Sequence, residues 1–187
     1  STSASVGFEG EPGGSYSCQY NPPTGSPQIT NCSSPWTRSG LAEGTHSLQV
    51  KQKDSLNNQG PASTFTWTVD LTGPAGPTIG SGPPAETTSR SATITFTGEP
   101  GGHFECALDE ASFFFCSSPR ELIGIPDGEH QLRIRQIDTA GNPGAVSTNN
   151  WSVDGTAPEA PDLTGGPSRT PSNLTSTSFQ FAGEPGG

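Results

Sequence analysis

Large apolar residues are scarce in this chain of 187 residues: Leu, Ile, Val and Phe together number 30, about 16%. Methionine is absent, and Lys51 and Lys53 are the only lysines. No apolar run exceeds a few residues, which excludes a membrane-spanning helix. Eight basic residues stand against 18 acidic ones, for a net charge of −10. A nucleic-acid binder needs a basic face for the phosphates, and none can be assembled here. A basic, apolar, small-residue leader is also missing, which together with the lack of Met points to a chain processed, or taken from the interior of a longer one. What is abundant is turn and surface chemistry: 25 Gly, 19 Pro, and 46 Ser and Thr. By composition alone the chain reads as a disordered acidic linker.

An internal repeat overturns that reading. Gly-Glu-Pro-Gly-Gly occurs at residues 10–14, 98–102 and 183–187, at spacings of 88 and 85. Phe8, Phe96 and Phe181 stand two residues before it, and Val6, Ile94 and Phe179 two residues earlier again. Cys18 matches Cys106, and Cys32-Ser33-Ser34-Pro35 matches Cys116-Ser117-Ser118-Pro119. Farther on, Gly44, His46, Leu48 and Val50 match Gly128, His130, Leu132 and Ile134; Asp54 and Asn58 match Asp138 and Asn142; Trp67 and Asp70 match Trp151 and Asp154. Low-complexity sequence does not hold Cys, Trp and His in register over such distances. A period near 86 is too long for helical solenoid repeats and suits one small β domain.

The local pattern agrees. Apolar and polar residues alternate through 92–97, 46–51, 130–135 and 65–69, as half-buried strands require. Turn signals separate them, and no stretch carries a capped helical period. The expected fold is all-β: tandem immunoglobulin-like β-sandwich repeats. Pro-rich joints at 71–77 and 155–161 divide the chain into a first repeat at 1–71 without its leading strand, a complete repeat at 72–155, and the N-terminal part of a third at 156–187. Proline fixes φ and removes donors, so these joints read as stiff connectors.

Phe104-Glu105-Cys106-Ala107-Leu108-Asp109, Phe115-Cys116-Ser117-Ser118-Pro119, Asp127-Gly128-Glu129-His130, Asp138-Thr139-Ala140-Gly141-Asn142 and Trp151-Ser152-Val153-Asp154 follow one another in an order that resembles the bacterial immunoglobulin-like repeats of large secreted and cell-surface proteins. The first unit departs at Asn57-Asn58, where the second has Gly141-Asn142, and in its longer Cys-to-Cys loop. The resemblance implies a stalk, spacer or adhesive array and no catalytic site.

Four cysteines allow three pairings. The repeat selects Cys18 with Cys32 and Cys106 with Cys116, one pair per unit, in an oxidising extracellular setting. A metal site is the competing reading, but neither spacing is Cys-x-x-Cys, and His103 aligns with Ser15. His46 and His130 read as structural imidazoles, and Glu11, Glu99 and Glu184 as solvated residues of Pro-Gly turns. For an ion the candidates are Asp54, Asp70, Asp138 and Asp154, whose oxygens at a junction suit Ca²⁺; Asx turns are the plainer use of Asp54 and Asp138. No other cofactor is expected. Trp36, opposite Arg120 in the second unit, is the exposed aromatic that could bind a sugar, and the run 113–115 places at least one Phe outward. Sequons at Asn31, Asn150 and Asn173 do not recur in register.

No Gly-x-Ser-x-Gly, phosphate loop or His-Glu-x-x-His occurs. The expected function is a structural segment of an extracellular or cell-surface fibre, filament or adhesin stalk, not an enzyme. The alternatives are a glycan- or protein-binding module and an accessory domain of a secreted enzyme. The partners expected are neighbouring repeats or copies of the chain itself, with strand addition by residues 156–187 as one route, and a host or glycan surface.

Overall fold

The computed structural model describes residues 2–166, 175–176 and 178–183, and every regular element among them is a β-strand. The third Glu-Pro-Gly-Gly run from 184 onward and the sequon residue Asn173 lie outside the described residues.

The first unit contributes β1 (Ser3–Val6), β2 (Ser15–Asn21), β3 (Gln28–Cys32), β4 (Trp36–Ser39), β5 (Gly44–Lys53) and β6 (Ser63–Val69). Strand β1 pairs with β4, and the other four form an antiparallel sheet in the order β3-β2-β5-β6. The second unit comprises β7 (Thr78–Ser81), β8 (Glu86–Thr87), β9 (Ser91–Thr97), β10 (His103–Leu108), β11 (Phe114–Cys116), β12 (Arg120–Ile123), β13 (Gly128–Ile137) and β14 (Ser147–Val153). Its sheets run β12-β9-β7 and β11-β10-β13-β14-β8, so β9 to β14 repeat the pairing of β1 to β6. A last hairpin joins β15 (Asp162–Gly165) to β16 (Gln180–Ala182). Leu163 faces Phe181 there, as Ile79 faces Phe96 in β7 and β9.

Alternation decides which residues meet between the sheets. In β9, Ala92, Ile94 and Phe96 point inward, and the threonines between them point out or lie half-buried. Leu132 and Ile134 of β13 are fully buried opposite them, with Trp151 and Val153 of β14. Each such side chain contributes roughly 1.5–3 kcal/mol of transfer free energy. The first unit has a smaller core of Cys18, Tyr20, Leu41, Leu48 and Val69, with Trp36 and Trp67 packed against it. Tyr20, Trp36, His46 and Trp67 form one aromatic group with ring centroids 5.4–6.4 Å apart. Trp67 matches Trp151 of the second core, whereas Tyr20 stands where the second unit has Leu108 and Trp36 where it has Arg120, so the first unit fills more of its core with rings.

Disulfides link Cys18 to Cys32 and Cys106 to Cys116, each with Cα atoms 5.8 Å apart. Both join neighbouring strands of one sheet (β2 with β3, β10 with β11) instead of bridging the two sheets. In both units the following Ser-Ser-Pro has a cis Ser-Pro bond, and its second serine accepts a hydrogen bond from the repeat phenylalanine: Phe8 N to Ser34 Oγ at 3.0 Å, Phe96 N to Ser118 Oγ at 2.9 Å.

Candidate interface at the joint between units

The joint at residues 70–77 begins as a local turn. The Asp70 carboxylate accepts from Thr72 N at 3.1 Å, and Thr72 Oγ1 donates to Glu43 of the first unit at 2.6 Å. The second unit holds the same segment from its other side. Asn142 Nδ2 donates to the Asp70 carbonyl (3.1 Å), Ala145 N donates to the Pro74 carbonyl (3.2 Å), and Ala75 N donates to Glu99 Oε1 (3.1 Å). Pro74 and Pro77 are buried, and Ile79 packs on the second core. The backbones approach so closely that a Cβ on Gly73 would fall on the Pro143 carbonyl oxygen, and one on Gly144 would lie 2.5 Å from the Pro74 carbonyl oxygen.

Asn142 is aimed by the turn that carries it. Asp138 accepts from Asn142 N at 2.8 Å and from Asn142 Nδ2 at 2.9 Å, leaving the second amide hydrogen for Asp70. The first unit repeats this turn. Asp54 accepts from Leu56 N, Asn58 N and Asn58 Nδ2, each at 2.8 Å. Asn57 takes φ 68° where Gly141 has 91°, so the departure in sequence keeps the left-handed residue that the turn needs. The side-chain amide of Asn58 and its N–H hold the Asp54 carboxyl below its ordinary value; the N–H and then the amide of Asn142 do the same to Asp138.

The aspartates do not converge. Asp54 and Asp138 spend their oxygens on their own turns, while Asp70 and Asp154 each accept from a threonine N–H two residues on. Among the described residues no group of three or more His, Cys, Asp or Glu side chains is placed to hold a metal ion. At the second joint, Asp127 accepts from Gly155 N at 3.0 Å and from Thr156 Oγ1, and pairs with Arg90 at 2.8 Å. The Thr156 bond first, then Gly155 N and the guanidinium, depress its carboxyl.

His46 and His130 are buried and bonded through both ring nitrogens. His46 meets Tyr20 Oη (2.6 Å) and the Ala42 carbonyl (2.8 Å); His130 meets Asp109 (3.0 Å) and the Pro126 carbonyl (2.9 Å). Burial works against charge on His130, but the Pro126 carbonyl and the Asp109 carboxylate outweigh it and raise its pKa. Trp36 is half-buried beside Tyr20 and Trp67 and does not stand free as a sugar platform. Phe114 and Phe115 face outward, whereas Phe113 lies under Arg133 and Arg135.

Two residues escaped the sequence reading. Gln52 accepts from Glu11 N (3.0 Å) and donates to the Glu11 carbonyl (2.7 Å). Gln136 makes the same pair of bonds to Glu99, at 3.0 and 2.7 Å, and adds the Gly101 carbonyl at 2.8 Å. Each glutamine thereby pins the Pro-Gly turn of its unit to the long central strand. Their identical place in the repeat was the available signal. Glu99, expected as a solvated turn residue, is held where it can accept from the joint.

On the first unit, the place corresponding to the one covered by residues 74–79 is an open cleft of about 440 Å³. Phe8, Tyr16, Val50, Gln52, Asn58 and Ser63 line it, in the positions of Phe96, Phe104, Ile134, Gln136, Asn142 and Ser147. Phe8 and Tyr16 meet edge to face with centroids 5.0 Å apart, as Phe96 and Phe104 do at 5.1 Å.

Fold and joint together define a chain of immunoglobulin-like β-sandwich units bonded through their connector. No protein-family model matches the chain, and no curated protein matches it in sequence. Among solved structures it is similar to the FN1–FN3 domains of chicken CNTN1 (15% identity over 75% of this chain and 54% of that one, TM-score 0.40). It is also similar to a two-domain fibronectin type-III segment of chicken tenascin (12% identity, 74% of this chain and 84% of that one, TM-score 0.35). A third is the fibronectin(III)-like modules of Clostridium thermocellum CbhA (13% identity, 81% and 85%, TM-score 0.39). The chain spans about half the length of the first of these.

Proposed function

We propose that this chain is a structural segment of an extracellular or cell-surface fibre or stalk, of the bacterial immunoglobulin-like repeat type, and has no catalytic activity. The observation that carries the reading is the joint. A spacer that serves only to separate two domains needs no contact with either, yet residues 70–77 hydrogen-bond to Glu43 on one side and to Glu99, Asn142 and Ala145 on the other. Such a connector sets the angle between successive units. Two disulfides support an oxidising compartment, and a net charge of −10 keeps neighbouring fibres apart.

Small-angle X-ray scattering of the chain tests the joint. A stiff connector gives a distance distribution with separate intra-unit and inter-unit maxima, unchanged between low and moderate salt. A smooth distribution that broadens as salt screens the acidic charge means freely swinging units, and the stalk reading falls.

A further inference from the structure

We propose that the outward face of the second unit's five-stranded sheet, at Phe115, Glu105 and Arg135, is a binding site for an uncharged pyranose of a polysaccharide. The site stands on this unit alone and does not depend on the fibre reading.

Three side chains of different chemistry share one row across the sheet. Phe115 of β11 lies opposite Glu105 of β10, and Glu105 lies opposite Arg135 of β13. Direct cross-strand neighbours stand about 5 Å apart, so the row runs about 10 Å, the scale of one or two sugar rings. Phe115 is 71% exposed, and the exposed ring of His103 stacks beside it with centroids 5.8 Å apart and planes 28° from parallel. The two rings form a flat platform at the sheet edge, and the electron-rich face of such a ring attracts the axial C–H groups of a pyranose.

The polar end of the row is built for hydroxyls. Arg135 donates through Nε (2.8 Å) and Nη2 (2.7 Å) to a single oxygen, Glu105 Oε2. Glu105 Oε1 and Arg135 Nη1 stay outside that pair. An acceptor beside a donor matches adjacent hydroxyls of a sugar, one donating to the carboxylate and the next accepting from the guanidinium. The row is also held in advance of binding. Arg135 Cζ lies 4.3 Å from the ring centroid of Phe113, and Arg133 fixes the loop before Phe113 through the carbonyls of Asp109 (2.7 Å) and Ala111 (2.9 Å).

The sandwich does not require these residues. In the same register the first unit has Asn31, Ser17 and Lys51, with Ser15 in place of His103, and it keeps the matching strands and disulfide. Neighbouring units do not cover this face from either direction along the chain. Phe115 is open with the first unit preceding it; Asn31 and Ile29 (68% exposed) are open with the second unit following them.

Charge selects the class of ligand. The Glu105–Arg135 pair is neutral, and the charge of Arg133 is turned to its loop carbonyls. A net charge of −10 repels acidic polysaccharides and a second copy of the chain alike. An uncharged ligand meets no such barrier and leaves the pair intact.

Amide NMR shifts of the isotope-labelled full chain, titrated with cello-, xylo-, manno- and chitohexaose and with oligogalacturonate as the charged control, test the proposal. At least one neutral hexaose should shift Phe115, Glu105 and Arg135 and leave Asn31, Ser17 and Lys51 in place, and oligogalacturonate should shift neither set. Phe115→Ala should weaken binding at least tenfold with an unchanged melting curve, because the lost ring is exposed. Phe115→Trp, which keeps the platform, should retain binding. The proposal is overturned if no neutral hexaose shifts the row, if Phe115→Ala binds like the original, or if oligogalacturonate binds as well as the neutral sugars. Shifts of the row that grow with protein concentration in the absence of sugar would assign the face to a second copy and overturn it too. None of these results bears on the scattering test of the joint, because residues 70–77 and their partners are intact in both variants.

Discussion

Single side chains in this protein act mainly by holding turns. Gln136 is 2% exposed and satisfies an N–H and two carbonyls of the Pro-Gly turn. Removing it leaves those groups partly shielded and unpaired, so Gln136→Ala should destabilise the second unit by about 1–3 kcal/mol. Gln52→Ala, at a more exposed place with one bond fewer, should cost less. Urea titration read separately at Trp151 and at Trp36 with Trp67 checks both; equal losses would mean that burial of the glutamine does not matter. The aspartates act through charge. Asp54, Asp127 and Asp138 have carboxyls depressed below an ordinary value of 3.8. A depressed folded-state pKa gives stability that is present above the unfolded value and lost as pH falls through the folded one. The contribution of these three carboxylates should therefore hold from neutral pH to about pH 5 and be lost below about pH 4, while the raised pKa of His130 adds stability as pH falls from neutral. Asp138→Asn should flatten part of that decline, and an unaltered acid limb in this variant would show that the turn carboxylate contributes nothing.

At the scale of elements, much of the fold was legible and the contacts between elements were not. Alternation at 92–97 and 130–135 marked β9 and β13 because a half-buried strand must repeat every two residues. Cysteine register marked both hairpins. Asn57 looked like a break with the turn of the second unit, yet its φ of 68° makes it the same turn; the substitution is visible in sequence and its conformational equivalence is not. Trp36 looked exposed because nothing local surrounds it with apolar residues. Its partners Tyr20 and Trp67 lie on β2 and β6, which only the folded sheets bring beside β4. Glu99 looked solvated for the same reason. The group it accepts from, Ala75 N, belongs to a segment 24 residues earlier that is itself the connector between units. Registers and turns are local physics and can be read along the chain. A groove filled by a connector depends on where two units meet, and composition encodes it only as prolines at 74 and 77 and glycines at 73 and 144.

For the whole molecule, the question is whether the connector is held by packing or by hydrogen bonds, because that decides how far one unit can turn against the next. Buried Pro74 and Pro77 argue for packing; the bonds from Asn142, Ala145 and to Glu99 argue for a directional clasp. The two make different demands on Asn142→Ala. Proline packing is indifferent to the loss of an amide, so under packing alone the N–H groups of Ala75 and Ala145 keep their protection from hydrogen exchange. If the clasp is directional, losing the bond to the Asp70 carbonyl frees the entry of the connector, and the two N–H groups beyond it open more often. A net hydrogen-bond contribution of about 1 kcal/mol corresponds to about fivefold faster exchange at Ala75 and Ala145. Exchange at Leu132, fully buried in the middle of β13, should not change. Acceleration that reached Leu132 would mean that the turn at 138–142 supports the second unit itself, and the connector would then be a passenger on that unit and not a hinge pin between two.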